Sequence, residues 1–215
     1  MTKNIPVPSL KRLPNYYHIV CQALESGEKF ISSATIARIL DIDDTQVRKD
    51  IAATGYVGKP KVGFDTKEFK EHLEDFLGFN KTKEAFLVGA GNLGIALAKY
   101  DGFRKYGLEI LAVFDNDPHK IGIKIGKKEV FPISKLPDLV KRMKVQVAIL
   151  TVPSEFAQDV TYFLIESGIK AIWNFAPVNL KVPEDVLVRN QDLAANFVVF
   201  STLLSEKRRS PDTLI

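Results

Sequence analysis

One short segment, Gly89-Ala90-Gly91-Asn92-Leu93-Gly94, constrains the fold of this chain more than any other. It follows the strand-like run EAFLV and opens the helical run IALAKY. Asp115 then ends the next apolar run, ILAVFD, at the roughly 20-residue spacing of a dinucleotide fingerprint. Each part has a physical task. Gly89 permits a tight turn, Gly91 lets the backbone approach a pyrophosphate, and Gly94 lets the helix lie close on the sheet. The helix N-terminus, with unpaired N–H groups and a positive dipole end, attracts phosphate. Asp115 is placed to accept hydrogen bonds from the adenosine ribose, and its charge repels a 2′-phosphate, which favours NAD(H) over NADP(H). A glycine-rich turn with no ligand is the plainer reading of the six residues alone. The strand before them, the helix after them and the acidic residue beyond count against it.

Around this element the pattern is one of βαβ units. Short apolar runs (GLEILAVFD, VQVAILTVP, IKAIWNFAP) alternate with amphipathic stretches such as SEFAQDVTYFLIESG, which predicts a parallel sheet with helices on its faces. Thr151-Val152-Pro153 and Asn174-Phe175-Ala176 fall at strand C-terminal ends, where open α/β sheets bind ligands. Tyr100, two turns into the glycine-loop helix, is placed to approach the nicotinamide half; an ordinary packing aromatic fits the pattern equally well.

Residues 1–80 read differently, as helices with one glycine-rich interruption. A first helix is expected over Pro14–Leu24, with Pro14 in its first turn. Ser32 or Ser33 caps a second, ATIARIL, and Asp44 or Thr45 caps a third, TQVRKDIAAT, ended by Gly55. On the third, Val47 and Ile51 face the core. Thr45, Lys49 and Ala52 then point outward, flanked by Gln46, Arg48 and Ala53. That surface suits a DNA major groove, and the following GYVGKPKVGF suits a hairpin wing carrying Lys59 and Lys61. The candidate DNA contacts are therefore Ser32, Ser33, Thr45, Gln46, Arg48, Lys49, Lys59 and Lys61. A small helical domain with merely solvated basic residues is the alternative.

Charge neither demands nor forbids this. Lys and Arg outnumber Asp and Glu by 30 to 26. The surplus is local, with nine basic and six acidic residues up to Val62 against two and five from Gly63 to Asn80. One cysteine, Cys21, excludes a disulfide framework and a cysteine-rich zinc site, and no metal is expected. No apolar run nears the roughly 18 residues of a membrane span. The N-terminus lacks a secretory pattern, so a cytoplasmic location is expected.

Catalysis is not expected either. His18 and His72 precede the cofactor domain, and His119 lies in a polar loop just past Asp115. About 25 residues follow VLVRN, too few for a substrate domain. They include Asp192, a capping residue, and then LAANFVVFSTLLSEKRR, a helix apolar almost all round that must be covered. Insertion between two subunits of a homodimer suits a protein that meets paired DNA half-sites. The expected domains are residues 1–80, 81–191 and 192–215.

RLPNYYHIV, TQVRKD, VGAGNLG, VFDNDPHKIG, LTVP, GIKAIWNFAP and NQDLA, in this order, resemble the Rex family of redox-sensing bacterial transcriptional repressors over essentially the whole chain. The resemblance implies an α/β protein with an N-terminal winged helix-turn-helix, a Rossmann-like domain and a C-terminal helix exchanged in a dimer. It implies operator binding by the free or NAD⁺-bound protein and release by NADH. It places Gln46, Arg48 and Lys49 in the recognition helix, Lys59 and Lys61 in the wing, Tyr100 beside the nicotinamide, and Asp192 near the partner's DNA-binding domain. His18 stands where the family often has an arginine that pairs with the aspartate matching Asp192, and an imidazole carries that charge only when protonated. Lys61 stands where a glycine is expected, and IAATG replaces a serine and aromatic pattern. A small NAD-dependent oxidoreductase and a nucleotide- or CoA-binding module are the rival readings.

Overall fold

The computed structural model describes residues 5–209, which divide after Lys81 into two compact units. In the first, α1 spans Val7–Glu25, about two turns longer than the expected Pro14–Leu24. Pro14 lies inside this helix; Pro6 at the N-cap and Pro8 in the first turn start it instead. An interior proline removes one backbone hydrogen bond, and the expectation had treated that as a boundary. The buried Leu13, Tyr16, Ile19, Val20 and Ala23 hold the helix against the core despite it.

Strand β1 (Phe30–Ile31) leads into α2 (Ser33–Leu40), which Ser32 caps by accepting the Thr35 N–H at 3.0 Å. Helix α3 (Asp44–Ala53) is capped by Asp43, one residue earlier than expected, through the N–H groups of Thr45 and Gln46. Strand β2 (Phe64–Asp65) pairs antiparallel with β1, and Asp65 caps α4 (Thr66–Leu77), which ends at Gly78. The expected hairpin between α3 and β2 shortens to one bridge, Lys59 with Gly63. Ile36, Val47, Ile51, Phe69 and Leu73 complete the core.

The second unit holds a seven-stranded sheet in the order β5-β6-β4-β3-β7-β8-β9. Its strands are β3 (Lys83–Val88), β4 (Leu108–Asp115), β5 (Lys124–Ile125), β6 (Lys128–Pro132), β7 (Val147–Leu150), β8 (Ala171–Asn174) and β9 (Leu187–Asn190). All neighbours run parallel except β5 with β6. The β5–β6 hairpin was not expected, because KIGKKEVFP is short and charged. Phe86 and Val88 enter one core, while Ala85 and Leu87 enter the other, so the central strand is buried on both faces. Helix α5 (Asn92–Lys99) follows β3, α6 (Leu136–Met143) precedes β7, and α7 (Ser154–Glu166) follows β7. A final helix, α8, spans Leu193–Arg209. No helix among the described residues is long and apolar enough to cross a membrane.

Strand β3 is the first strand of this sheet, with β4 on one side and β7 on the other. The chain therefore reverses its direction of travel across the sheet at β3, and a crevice opens beyond the carboxyl ends of β3 and β7.

Candidate functional site

A cavity of about 740 Å³ occupies that crevice. Gly89, Gly91, Asn92 and Leu93 form its floor; Thr151, Val152 and Pro153 close the β7 side. The three glycines differ in what requires them. Gly89 has φ +107°, and a Cβ there would lie 2.8 Å from the Thr151 backbone. A Cβ at Gly94 would lie 1.9 Å from the Gly89 carbonyl oxygen. Gly91 has an ordinary φ of −80°, and a Cβ there would meet nothing within 4 Å. Its lack of a side chain leaves open space at the N-terminus of α5, a helix start with no side-chain cap. A backbone cradle of this kind fits a pyrophosphate.

The lining is mixed, and Asp159 stands among its apolar residues. Asp115, Asn116, Asp117 and Lys120 line the β4 end; Ile133, Phe156, Val160, Phe163 and Phe175 supply apolar wall. Asp115 is 6% exposed and already engaged. Its Oδ2 accepts the Ala90 N–H at 2.7 Å and Lys120 Nζ at 3.2 Å, while Oδ1 accepts the Asp117 N–H at 2.9 Å. The Asp117 carboxyl is held below its usual range by hydrogen bonds from the His119 backbone and ring, with Lys120 adding charge attraction.

Five of the expected cofactor residues do not line this cavity. Ala90 is buried and lends its N–H to Asp115, and Gly94 is packed beneath the loop. Asn174 is fully buried: Nδ2 donates to the Ala176 and Val178 carbonyls and to Asn190 Oδ1, and Oδ1 accepts the Ala176 N–H. It knots the end of β8 to β9, and Ala176 is buried with it. Tyr100 is not within α5 but is its extended C-cap, 59% exposed. Its ring meets Phe103 edge-on at 5.0 Å; Phe103 meets Trp173 at 5.6 Å, and Trp173 meets the cavity residue Phe175 at 4.8 Å. Asn116, Asp117, Lys120, Phe156, Val160 and Phe163 are lining residues that sequence reasoning missed. The pattern FDNDPHK was visible, but nothing in it sets which of its polar groups turn back on Asp115.

On α3, Thr45, Arg48, Lys49 and Ala52 are exposed, and Arg48 pairs with Asp44 at 3.0 Å. The inner face holds a group with no signal in the periodicity. Asp50 is 1% exposed and takes Arg12 at 2.6 and 2.9 Å, the Tyr16 hydroxyl at 2.6 Å and Gln46 Nε2 at 2.8 Å. Burial alone would raise the Asp50 carboxyl, but donation from Arg12, Tyr16, Ser9 and Gln46 outweighs it and holds the group down at about 2. Desolvation and the bond to Asp50 push Tyr16 the other way, far above its usual range. The network ties α1 to α3. Gln46, expected to flank the outward face, is half-buried and committed through one N–H to Asp50.

In the wing, Val62 N–H reaches the Lys59 carbonyl at 3.1 Å, with Pro60 and Lys61 at the turn centre. Lys61 has φ +62°, the conformation a glycine adopts without cost. Lys59 Nζ lies 5.3 Å from the Phe30 ring centroid. Ser32 spends its hydroxyl on capping, and Ser33 is the first residue of α2. His18 is exposed on α1, its ring 6.3 Å from that of Tyr17. Asp192 caps α8 by accepting the Ala195 N–H at 2.9 Å. On α8 the apolar Leu193, Phe197, Val198, Val199, Phe200, Leu203 and Leu204 all lie exposed, 42–66% each.

Comparison with known proteins agrees with both units. A family profile described as "CoA binding domain" matches residues 80–178, and one described as "Putative DNA-binding protein N-terminus" matches residues 4–52. The redox-sensing transcriptional repressor Rex of Treponema denticola is 44% identical over 201 residues, covering 94% of this chain and 96% of that protein. The protein of the same name from Carboxydothermus hydrogenoformans is 44% identical over 197 residues, covering 92% and 95%. Among solved structures, RSP, a Rex-family repressor, matches with a TM-score of 0.87 at 33% identity over 97% of both chains. RSP in complex with beta-NAD⁺ and operator DNA matches with a TM-score of 0.89 at 33% identity, covering 99% of this chain and all of that one. RSP is also known in complex with beta-NADH.

Proposed function

Since the chain belongs to the Rex family of redox-sensing transcriptional repressors, we propose that it binds operator DNA when free or carrying NAD⁺ and leaves it when NADH binds. The observation that carries this reading is the union in one chain of a dinucleotide cradle and a helix-turn-helix with a basic wing. It is a regulator and not an enzyme, as its named relatives are repressors. It acts in the cytoplasm.

The dinucleotide supplies a redox-dependent charge, since the nicotinamide ring is positive in NAD⁺ and neutral in NADH. The chain's own residues turn that into a preference. Gly91 and the start of α5 hold the pyrophosphate, and Asp115 with Lys120 holds the adenosine ribose. The ring lies against Val152, Phe163 and Phe175, away from the exposed Asp159 of the same lining, and this wall favours its uncharged form, because burying a lone charge among apolar groups is costly. A conformation that closes this wall therefore gains from NADH and not from NAD⁺. A coupling of about 1–3 kcal/mol is typical between linked sites and suffices for a ratio sensor. By the same linkage, operator DNA weakens NADH binding by an equal factor.

The protein acts as a homodimer in which α8 passes between subunits and covers its apolar side chains there. Asp192, at the start of α8, meets His18 of the other subunit and relays the cofactor state to the winged helix. A CoA-binding reading draws on the family profile for residues 80–178. It is disfavoured by Asp115 and Asp117, whose charge at the ribose end exceeds that of Lys120 and opposes the 3′-phosphate of CoA.

The test is binding to a fluorescent duplex carrying a palindromic operator, at fixed salt, without nucleotide, with NAD⁺, with NADH and with CoA. Salt is held constant because phosphate contacts make affinity steeply salt-dependent. Tight binding abolished by NADH alone is the expected result. Binding indifferent to NADH, or no binding to any duplex, overturns the reading.

A further inference from the structure

The Asp50 network fixes more than the packing of α3. We propose that Asp50 turns the Gln46 amide so that it reads an adenine and refuses a guanine in the major groove; this rests on the DNA-binding reading above. Asp50 is paired with the Arg12 guanidinium through both oxygens, at 2.6 and 2.9 Å, and so is ionised. An ionised carboxylate only accepts hydrogen bonds. The Gln46 atom 2.8 Å from Asp50 Oδ1 must therefore be the amide nitrogen and not the oxygen. The amide orientation, which is ordinarily open to a flip, is settled here by chemistry.

That leaves a defined edge. One N–H of Gln46 is spent on Asp50. Among the described residues Oε1 has no hydrogen-bond partner, and it is not among the enclosed unpaired polar atoms. The free groups are Oε1 and the second N–H. Gln46 is the third residue of α3, next to the exposed Thr45 and one turn before the exposed Lys49. The first turn of a recognition helix is the part that reaches base edges.

An acceptor beside a donor is the complement of adenine, whose N6 amine donates and whose N7 accepts. Guanine and thymine offer only acceptors there: guanine O6 and N7 together set one acceptor against Oε1, and thymine O4 leaves Oε1 without a donor. A free glutamine could turn its amide over and give nitrogen to those bases. Asp50 forbids this, since the turned amide would put Oε1 against a carboxylate. Asp50 is thus a positioning residue. Its partners Arg12 and Tyr16, both on α1, keep it ionised and in place.

The experiment uses the full chain and a duplex selected by the wild-type protein from a randomised pool. Adenines of each symmetric pair are replaced by purine lacking the 6-amino group, or by guanine, and binding is followed by fluorescence anisotropy. At one symmetric pair, removing the amine should weaken wild-type binding roughly 10-fold, the scale of a lost base contact. Gln46→Met should be indifferent to the same replacement, and its own loss of affinity should be the same at low and high salt. Asp50→Asn, whose amide can accept or donate, should narrow the preference for adenine over guanine at that pair. If Asp50→Asn fails to fold, Gln46→Met still decides the adenine contact, and wild-type protein that binds guanine at that pair as tightly as adenine overturns the fixed orientation. A Gln46→Met protein that loses as much as wild type at every replaced adenine overturns the inference while leaving the DNA reading intact. A wild-type protein that prefers no selected duplex over an unrelated one overturns both.

Discussion

The Asp115 carboxylate holds the Ala90 N–H at 2.7 Å, so the residue that ends β4 also braces the glycine loop that follows β3. Its second oxygen holds the Asp117 N–H, and Lys120 approaches the first. Little of its accepting capacity is left for a ribose, and Lys120 retains donors for that purpose. Asp115→Ala should therefore lower thermal stability and weaken NADH binding together, whereas Lys120→Gln should mainly weaken binding. Trp173 is the sole tryptophan and packs on the cavity residue Phe175, so energy transfer from its emission to bound NADH measures both variants. Equal melting temperatures for Asp115→Ala and wild type would show that the brace contributes nothing.

Gly91 and Gly94 make a matched pair of tests. Gly94→Ala sets a methyl 1.9 Å from the Gly89 carbonyl oxygen and should destabilise by about 1–3 kcal/mol, the usual cost of overpacking. Gly91→Ala meets no atom within 4 Å and has φ −80°, so only the poorer N-cap character of alanine acts against it, and its melting temperature should fall by no more than about 2–4 °C. Its NADH affinity should fall about 10-fold or more, a loss of at least 1.4 kcal/mol, because the methyl projects where the pyrophosphate would lie. A Gly91→Ala protein that binds NADH normally places the phosphates elsewhere.

Acid should act on the winged-helix unit through Asp50. Its carboxyl is held at about 2 when folded, against an unfolded value of 3.8, so ionised Asp50 stabilises the fold above pH 4. That contribution, about 2–3 kcal/mol, is lost as the pH falls from 4 towards 2. Unfolding free energy measured by denaturant between pH 6 and 2 should fall along this limb. In Asp50→Asn the limb should flatten, at a cost near neutral pH of about 1.5–3 kcal/mol as the partly exposed Arg12 exchanges a carboxylate for one amide oxygen. An acid limb of unchanged steepness in the variant would assign the loss to the exposed carboxylates instead.

What the sequence displayed and what it hid divide along physical lines. Signals carried by one residue's own chemistry were legible: glycines where no Cβ fits, Ser32 before a helical run, and the apolar runs that became β3, β4, β7 and β8. Contacts that depend on where a side chain turns were not. Asn174 stands at a strand end, where a ligand contact is expected, yet its amide closes on Ala176, Val178 and Asn190. Tyr100 stands one residue past α5, where the extended backbone carries it away from the cavity lining. Asp50 reads as one more charge in QVRKD, and only the folded α1 shows that Arg12 and Tyr16 converge on it. Pro14 suggested a helix start because local propensity opposes an interior proline, and core packing on both sides of it prevailed.

Lys61 carries both a charge and an unfavourable backbone conformation, and one substitution separates them. At φ +62° in the third position of the Lys59–Val62 turn, a non-glycine residue carries a left-handed penalty of about 1–2 kcal/mol, part of which a glycine returns as unfolded-state entropy. Lys61→Gly should therefore be as stable as wild type or slightly more so. If the wing lies on the phosphate backbone, operator binding should weaken, and the slope of log affinity against log salt should become shallower by about 1. An unchanged slope would remove Lys61 from the interface.

The exposed side chains of α8 set the last expectation. Phe197, Val198, Val199, Phe200, Leu203 and Leu204 leave no polar face wide enough to solvate this helix, and the exchange of α8 between subunits proposed above would cover them. Replacing Phe197 and Phe200 together by Asp should yield monomers by sedimentation equilibrium at concentrations where wild type is dimeric. The glycine cradle and the winged helix are each built within one chain, so NADH binding to the monomer should persist in weakened form. Operator binding should fall about 10²–10⁴-fold, since two half-sites would no longer be held by one molecule. If the double variant stays dimeric, subunits meet through another surface and the exchange of α8 is wrong. If it is monomeric and still binds the operator tightly, the paired half-sites are not what makes binding strong.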